Sequence, residues 1–164
     1  MKAIVAVDRN WAIGRGNSLL AHLPGDLRYF KEKTIGKTVV MGRQTLESLP
    51  GGKPLPDRSN IVLTTNEDYP ADCEICCSIE HLFQCVEHCD LDDVFIIGGE
   101  QIYSEFLPYC DKAYVTKIDA VFPADKYFVN LDKDPNWKLV YESEPITEKG
   151  FTYRFTEYER IFNK

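Results

Sequence analysis

The sequence of 164 residues has no apolar run approaching the roughly 20 residues of a membrane-spanning helix. It also lacks an excess of positive charge, since 19 lysines and arginines stand against 26 acidic residues, a formal net charge of −7. Binding to the nucleic-acid backbone depends on a cationic face, so we expect no nucleic-acid partner, and an anionic ligand must be met by local positive groups. No repeat, low-complexity segment or linker interrupts the chain. We therefore expect one globular domain over residues 1–164.

The N-terminal segment lacks the features of a targeting signal. The stretch "MKAIVAVDRN" reaches Asp8 and Arg9 after an apolar run that is too short for the core of a signal peptide and is typical of an opening strand. The hydrophobic fraction of 44% and the charged fraction of 27% are ordinary for soluble proteins. A soluble protein of the cytoplasm, with no membrane partner, is expected.

Cysteine, in contrast, is plentiful, with six residues. Most of them fall in one segment together with two histidines: Cys73, Cys76, Cys77, His81, Cys85, His88 and Cys89. Structural zinc sites usually show two separated Cys or His pairs, and "HLFQCVEHC" instead favours a helix that carries Cys85 and Cys89 at i and i+4. We therefore expect free thiols in a reducing cell and no metal. A thiol-based metal- or redox-responsive binding protein is the alternative.

Short β-rich runs, each followed by a helix or a loop, recur along the chain and indicate an α/β protein: "AIVAVD", "TVVMG", "NIVLTT", "VFIIGG", "KAYVTKID", "WKLVYES" and "FTYRFTEYER". The inner runs are continuously apolar, as buried parallel strands are, whereas the last two alternate like antiparallel edge strands around a turn at 148–150. A mixed sheet is therefore predicted. The helical pattern covers residues 24–33, 45–49, 79–89 and 100–107, the last ended by Pro108.

One acid lies where a buried helix should begin. In "LLAHLPGDLRYF", Pro24 suits a first helical turn, and helical spacing places Asp26 and Phe30 on one side, with Leu27 adjacent. Asp26 is either an exposed first-turn acid favoured by the helix dipole or a functional carboxylate in a pocket. This stretch alone leaves both interpretations open.

Two junctions have the order strand, glycine, helix. In "VVMGRQTLESL" a buried strand ends in Gly42, and in "VFIIGGEQIYSEF" another ends in Gly98 and Gly99. At such junctions free backbone N–H groups and the helix dipole can hold a phosphate, although glycine also serves tight turns. Together they suggest a ligand with several phosphates. The fingerprint G-x-G-x-x-G is absent, so these patterns indicate only an α/β nucleotide or coenzyme binder.

Six blocks of the sequence occur in the order and spacing of a known family: "AVDRNWAIGRGNSL", "HLPGDLRYFKEKT", "VVMGRQTLESL", "PLPDRSNIVLT", "VFIIGGEQIY" and "YVTKIDA". On these blocks the chain resembles bacterial dihydrofolate reductase over essentially its whole length. The resemblance implies an oxidoreductase that uses NADPH to reduce 7,8-dihydrofolate to tetrahydrofolate for one-carbon metabolism and thymidylate synthesis. It also implies a monomer that binds antifolate inhibitors, and a three-layer α/β fold with a mixed, mostly parallel eight-stranded sheet flanked by four helices.

The resemblance also gives Asp26 a role. It implies that Asp26 binds the pterin N3 and 2-amino group and helps to protonate N5, and that Thr116 hydrogen-bonds to Asp26. A carboxylate suits two parallel donors, and its charge favours a proton on the bound ring. The residues implied to bind the substrate are Ile4, Val5, Leu27, Phe30, Leu49, Leu55 and Arg58. Arg58 would bind the glutamate α-carboxylate, which argues against the other alternative, a related reductase of another pterin or a pyrimidine.

The implied NADPH site has three parts. Ala6 and Ile13 line the nicotinamide, the two glycine junctions hold the phosphates, and Arg43 with two threonines surrounds the adenosine 2′-phosphate. In the family the Gly98–Gly99 bond is cis. The complete set is Ala6, Ile13, Gly42, Arg43, Gln44, Thr45, Thr64, Thr65, Ile97, Gly98, Gly99, Glu100, Gln101, Ile102 and Tyr103.

The loop at 14–23 departs from the family pattern. The family usually has Leu-Pro-Trp where this chain has Leu-Leu-Ala at 19–21. The family's tryptophan packs near the nicotinamide and pterin, so we expect weaker loop closure and altered proton delivery. Trp11 is a candidate to refill part of that space. Asp125 in "FPADKYF" is implied to help close the loop.

Overall fold

The computed structural model describes residues 1–16 and 18–162, which form twelve strands and four α-helices. Residue 17 of the predicted loop and residues 163–164 of the predicted domain lie outside the described residues. The strands are β1 (Lys2–Val7), β2 (Ala12–Arg15), β3 (Ser18–Leu19), β4 (Thr38–Gly42), β5 (Ser59–Leu63), β6 (Glu74–Cys76), β7 (Val94–Gly98), β8 (Lys112–Ile118), β9 (Lys126–Tyr127), β10 (Trp137–Glu142), β11 (Ile146–Glu148) and β12 (Phe151–Arg160). The helices are α1 (Pro24–Thr34), α2 (Arg43–Ser48), α3 (Ile79–Cys85) and α4 (Glu100–Phe106).

The main sheet has the strand order β10-β12-β8-β1-β7-β4-β5-β6, and β11 pairs with β12. The strands from β8 to β6 in this order are parallel to their neighbours, whereas β12 is antiparallel to β8, β10 and β11. The expected α/β fold with a mixed, mostly parallel sheet is therefore confirmed. In the described part of the chain, no helix is long and apolar enough to cross a membrane.

Both faces of this sheet are covered, which explains why its inner strands are continuously apolar. In β4, Val39 and Met41 pack in one hydrophobic cluster, while Val40 between them packs in another. All three are fully buried. Alternate side chains of a strand point to opposite faces, so a strand buried on both sides does not alternate between apolar and polar residues.

The C-terminal strands differ from the prediction in one respect. They are antiparallel as expected, but of the two predicted edge strands β10 lies at the edge, whereas β12 lies inside the sheet between β8 and β10. The predicted turn at 148–150 joins β11 to β12 rather than β10 to β12. The reason is that the short β11, which was not predicted, lies between them in the chain.

Helix α3 is shorter than predicted. It ends at Cys85, and the following N–H groups form three-residue turns, from Glu87 to the Gln84 carbonyl and from Cys89 to the Val86 carbonyl. Cys85 and Cys89 therefore do not lie on one helical face as expected. The residue one turn before Cys85 is His81, which is in the helix.

A second, small antiparallel sheet is formed by β3, β2 and β9. It fixes part of the loop at 14–23 against the segment that contains Asp125. The carboxylate of Asp125 accepts the N–H of Gly16 at 3.0 Å, and the Asp125 N–H donates to the Gly14 carbonyl at 3.1 Å. The expected contact between Asp125 and this loop is therefore present. These strands are too short to be evident from the sequence.

Candidate active site

Asp26 and Thr116 form a hydrogen-bonded pair between two distant elements. Asp26 lies in the first turn of α1, next to Pro24, and Thr116 is 2% exposed in β8. The Thr116 hydroxyl donates to Asp26 Oδ1 at 2.6 Å. Burial raises the pKa of Asp26 above its usual range, whereas this hydrogen bond lowers it. Asp26 is therefore a largely buried acid with a specific partner, rather than an exposed first-turn acid.

Glu148 is a second acid near this pair, and no sequence pattern predicted it. Its Oε1 accepts the N–H of Gly25 at 3.0 Å and lies 3.3 Å from the Tyr153 hydroxyl, which donates to it. A Cβ on Gly25 would overlap that hydroxyl, so the start of α1 packs tightly against β12. The negative charge of Glu148 further raises the pKa of Asp26. Only the pairing of β11 with β12 brings Glu148 here, and neither residue type nor spacing indicates it.

An apolar cluster forms one face of the sheet beside α1. It contains most of the residues predicted to bind the substrate rings, namely Ile4, Phe30, Leu49 and Leu55, together with Ile97. Two of the residues predicted to bind the substrate rings do not belong to this cluster. Leu27 is 37% exposed, and Val5 packs in the cluster on the opposite face because side chains alternate along β1. The structure thus does not place the Val5 side chain with the rest of this group.

Arg58 lies near the end of α1, half-buried. Its Nε donates to the Pro56 carbonyl at 2.9 Å and its Nη1 to the Thr34 hydroxyl at 3.1 Å. Burial lowers the pKa of Arg58, and the neighbouring Asp57 raises it. Arginine is not deprotonated in proteins, so the side chain is charged. Among the described residues Nη2 has no hydrogen-bond partner. A fixed guanidinium with a spare donor can bind a carboxylate.

The two glycine junctions lie side by side. Strand β4 pairs with β7, with Met41 opposite Gly98, so Gly42 and Gly98 end neighbouring strands and Gly99 directly precedes α4. A Cβ on Gly42 would lie 3.2 Å from Ile102 Cγ1, and one on Gly98 would lie 3.4 Å from Thr45 Oγ1. Gly98 has φ of 127°, and the Gly98–Gly99 bond is cis, as the resemblance implies. The N-termini of α2 and α4 therefore lie in a confined space, in which a side chain at Gly42 or Gly98 would be crowded.

Other residues of the predicted cofactor site surround these junctions. The Tyr103 hydroxyl donates to the Ile4 carbonyl at 2.7 Å, which links α4 to β1. Glu100 accepts the Tyr127 N–H at 2.6 Å and so links α4 to the small sheet. Ala6 and Ile13 are half-buried, each at the edge of a hydrophobic cluster. Gln44 and Gln101 are exposed on the two helices.

Arg43, Thr64 and Thr65 lie at the same end of the sheet. Gly42 pairs with Leu63, so Arg43 and Thr64 each follow one member of that pair. Arg43 Nε is 3.8 Å from Glu47 Oε1, and both side chains are about half exposed. Glu47 also accepts the Tyr69 hydroxyl at 3.0 Å. The sequence reasoning missed this acid, which competes with any phosphate for Arg43.

Trp11 does not refill the space left by the missing tryptophan. It packs against Phe128 and Tyr158, with ring centroids 6.3 and 6.0 Å apart, in the large cluster. Ala21 packs in a different cluster with Leu23 and Tyr153. Trp11, which is 5% exposed, is therefore part of the large cluster and not of the cluster that contains Ala21, contrary to the expectation.

Comparison with known proteins gives one family. The sequence matches the family model for dihydrofolate reductase over residues 1–160. It is 39% identical to dihydrofolate reductase of Bacillus subtilis (strain 168) over 160 residues, covering 96% of this chain and 92% of that protein. It is 42% identical to dihydrofolate reductase of Staphylococcus haemolyticus over 163 residues, covering 96% and 94%. The structure superimposes on dihydrofolate reductase from Enterococcus faecalis complexed with NADP(H) and RAB-propyl, with a TM-score of 0.83, 36% identity and coverage of 97% and 95%.

Proposed function

This chain belongs to the dihydrofolate reductase family, and from that premise we propose how its own residues carry out the reaction. The protein is an NADPH-dependent oxidoreductase that reduces 7,8-dihydrofolate to 5,6,7,8-tetrahydrofolate, the reaction that serves one-carbon metabolism and thymidylate synthesis. The observation that carries the assignment of residues is the 2.6 Å hydrogen bond between Thr116 and the largely buried Asp26.

We propose that Asp26 binds the pterin ring and favours a proton on its N5. The two carboxylate oxygens match the N3–H and the 2-amino group, which are parallel donors. Thr116 holds the carboxylate from β8, so that it does not rotate away from the ring. A buried negative charge favours the protonated form of a bound ring, which is the form that accepts hydride at C6.

The apolar cluster beside α1 suits the pterin and aminobenzoyl rings. Phe30, Leu49 and Leu55 are half-buried at its margin, where a bound ring would complete their burial. Leu27, although exposed, lies on α1 next to Asp26. Arg58 is assigned to the α-carboxylate of the glutamate tail because its guanidinium is fixed and has Nη2 unpaired among the described residues.

The paired glycine junctions fit NADPH. Gly42, Gly98 and Gly99 leave space that a Cβ would fill, and the helix N-termini supply N–H groups for the diphosphate. Ala6 and Ile13 are assigned to the nicotinamide, and Arg43 with Thr64 and Thr65 to the adenosine 2′-phosphate. When bound, NADPH supplies the hydride. Arg43 contributes a charge that NADH cannot use.

We further propose that the chain works as a single-domain monomer in the cytoplasm and binds antifolate inhibitors at the Asp26 site. One main sheet runs through the fold, with its hydrophobic clusters packed on it, which supports one domain. Sedimentation at micromolar concentration should give a mass near 18.8 kDa. A stable dimer would contradict the monomer without affecting the enzymatic assignment.

The proposed role of the Asp26–Thr116 pair is tested by Thr116→Val, which keeps the shape of the side chain and removes the hydrogen-bond donor. Because the hydrogen bond lowers the pKa of Asp26, its loss should move the midpoint of the pH–rate profile to higher pH. The rate is measured as loss of NADPH absorbance with dihydrofolate, compared with pterins that lack the glutamate tail. An unchanged midpoint in a variant that still binds NADPH would contradict the role of Thr116.

A further inference from the structure

Three potential metal ligands converge at the far edge of the sheet, away from Asp26. Cys76 ends β6, and His81 and Cys85 lie one turn apart on α3. One ligand atom from each of these residues lies within 4.8 Å of the other two, and the two sulfur atoms are 3.0 Å apart. We propose that Cys76, His81 and Cys85 bind a soft divalent cation of the Zn²⁺ type.

The pairing of β6 and the start of α3 are sufficient to place these three side chains. Strand β6 pairs with β5, with Cys76 opposite Leu63, which fixes the first thiol at the end of the sheet. Ser78 then caps α3 by accepting the His81 N–H at 3.0 Å. The helix therefore begins three residues after Cys76 and turns back, so the face that carries His81 and Cys85 lies against the strand.

The ligand types are those of zinc and cadmium sites. Two thiolates and an imidazole bind such ions strongly, and binding releases the two thiol protons to solvent. A Zn–S length of about 2.3 Å in a tetrahedron places the sulfurs about 3.8 Å apart, so Cys85 must move by less than about 1 Å from its position near Cys76. Cys85 is half-buried and adjoins solvent, which allows that movement.

The surroundings favour a cation over other uses of the two thiols. A pair of thiols alone could also form a disulfide, but His81 adds a third donor that a disulfide does not need. His81 Nδ1 accepts the Cys77 N–H at 3.3 Å, a long hydrogen bond that a cation on Nδ1 would replace. Glu74 begins β6 two residues before Cys76 and therefore lies on the same face of the strand, so an acid or a water is available for a fourth position. The local charge thus suits a divalent ion.

This site would lie next to the proposed adenosine end of NADPH. The Thr64 N–H donates to the carbonyl of Cys76 at 3.0 Å. A cation on Cys76 would therefore fix the end of β6 against β5 and raise the melting temperature of the protein. The site itself does not depend on the proposed function, since none of its three ligands is assigned to substrate or NADPH.

The test is a titration of the fully reduced full-length protein with Zn²⁺ in competition with a chromophoric chelator, repeated with Cd²⁺ to record the sulfur-to-cadmium charge-transfer absorption. One equivalent should bind. Loss of one ligand should weaken binding by at least about tenfold, since loss of even an outer hydrogen bond to a ligand costs that much. The variants are Cys76→Ser, Cys85→Ser and His81→Gln, the last two at half-buried positions that tolerate substitution.

Cys89→Ser is the matched control, because Cys89 is an exposed thiol four residues after Cys85 and outside the cluster. It should leave the affinity and the cadmium absorption unchanged. NADPH binding measured in parallel verifies the fold of each variant and separates failure of this site from failure of the enzymatic assignment. The proposal is overturned if the reduced protein binds no equivalent of metal, or if Cys85→Ser and His81→Gln bind it as the unchanged protein does.

Discussion

The two ends of the proposed active site differ in how far their charged groups are exposed to water. At the substrate end, Asp26 is held by Thr116, 90 residues away, and the adjoining Gly25 by Glu148, 123 residues away. Thr116 is buried, and Asp26, Gly25 and Glu148 are partly buried. At the adenosine end, Arg43 pairs with Glu47 on the same helix, with side chains 52% and 44% exposed. Charges interact strongly in the interior and weakly in water. A charge change should therefore alter chemistry at the first end and mainly affinity at the second.

The largest effect is expected for Asp26→Asn. The amide keeps the shape but cannot favour a proton on N5, and loss of such a group typically costs about 10²–10⁴ in rate. Turnover at neutral pH should fall by that factor and recover partly at low pH, where solvent protonates the substrate. Single-turnover measurement of hydride transfer is the check. Near-normal turnover would mean that Asp26 has no part in proton delivery.

The same substitution should leave the fold intact or strengthen it. The pKa of Asp26 is raised in the folded protein, chiefly by burial, so its stabilising contribution is complete below the pKa of the unfolded chain and is lost as pH rises through the folded value. Above that pH the buried charge is a cost, which the Asn variant avoids. Thermal unfolding should give a higher melting temperature for the variant at neutral pH than for the unchanged protein, and no such gain in acid.

The difference between the two ends also explains which residues of the site could be predicted from the sequence. Arg43 follows Gly42 directly in a junction that is recognisable by pattern, and the inner strands were evident from continuous apolar runs. The place of Asp26 on an apolar helix face suggested that it has a function, and the resemblance implied which function. Glu148 was not predictable, because its position depends on the pairing of β11 with β12 and on packing against α1. The length of α3 was missed because nothing in "HLFQCVEHC" marks its end at Cys85.

The second prediction concerns the adenosine end. Arg43→Ala should raise KM for NADPH far more than KM for NADH, because a hydrogen bond to a charged group contributes about 1.5–3 kcal/mol. The preference for NADPH should fall by about tenfold or more, with kcat unchanged. Arg154→Ala is the matched control, since Arg154 is another exposed arginine that forms an ion pair, with Glu142 at 3.5 Å. Equal losses with both cofactors would remove Arg43 from the 2′-phosphate site.

The third prediction concerns the loop at 14–23, beside the substrate end. Ala21 packs with Leu23 and Tyr153, and Trp11 lies elsewhere, so the place of the family's tryptophan has not been taken by Trp11. The pair Leu20→Pro with Ala21→Trp should stiffen the turn and bury an aromatic ring, a gain of about 1.5–3 kcal/mol less the strain of insertion. Diaminopyrimidine antifolates should bind several-fold more tightly, and hydride transfer should be faster. Each single substitution is the control. No change in either quantity would mean that neighbours such as Phe122 already fill the space.

The smallest effects are expected from removing one acid at each end, and they test the comparison directly. Glu148→Gln keeps an acceptor for Gly25 but removes the charge that raises the pKa of Asp26, so the midpoint of the pH–rate profile should move to lower pH. Burial raises the pKa of Tyr153, as it does those of Tyr29 and Tyr103, so these neighbours stay neutral and do not mask the shift.

Glu47→Gln is the matched change in the exposed region. It frees Arg43 from a competing carboxylate at 3.8 Å and should tighten NADPH binding by about twofold, because exposed ion pairs are worth about 0.2–1 kcal/mol. This gain should fade at high salt, while the effect of Glu148→Gln on the pH–rate profile should persist, since salt screens exposed charges more than buried ones. If Glu47→Gln shifted the pH–rate midpoint as much as Glu148→Gln, the two ends would not be electrostatically separate. Asp26 would then respond to the net charge of the whole protein rather than to the acid held beside it by β11.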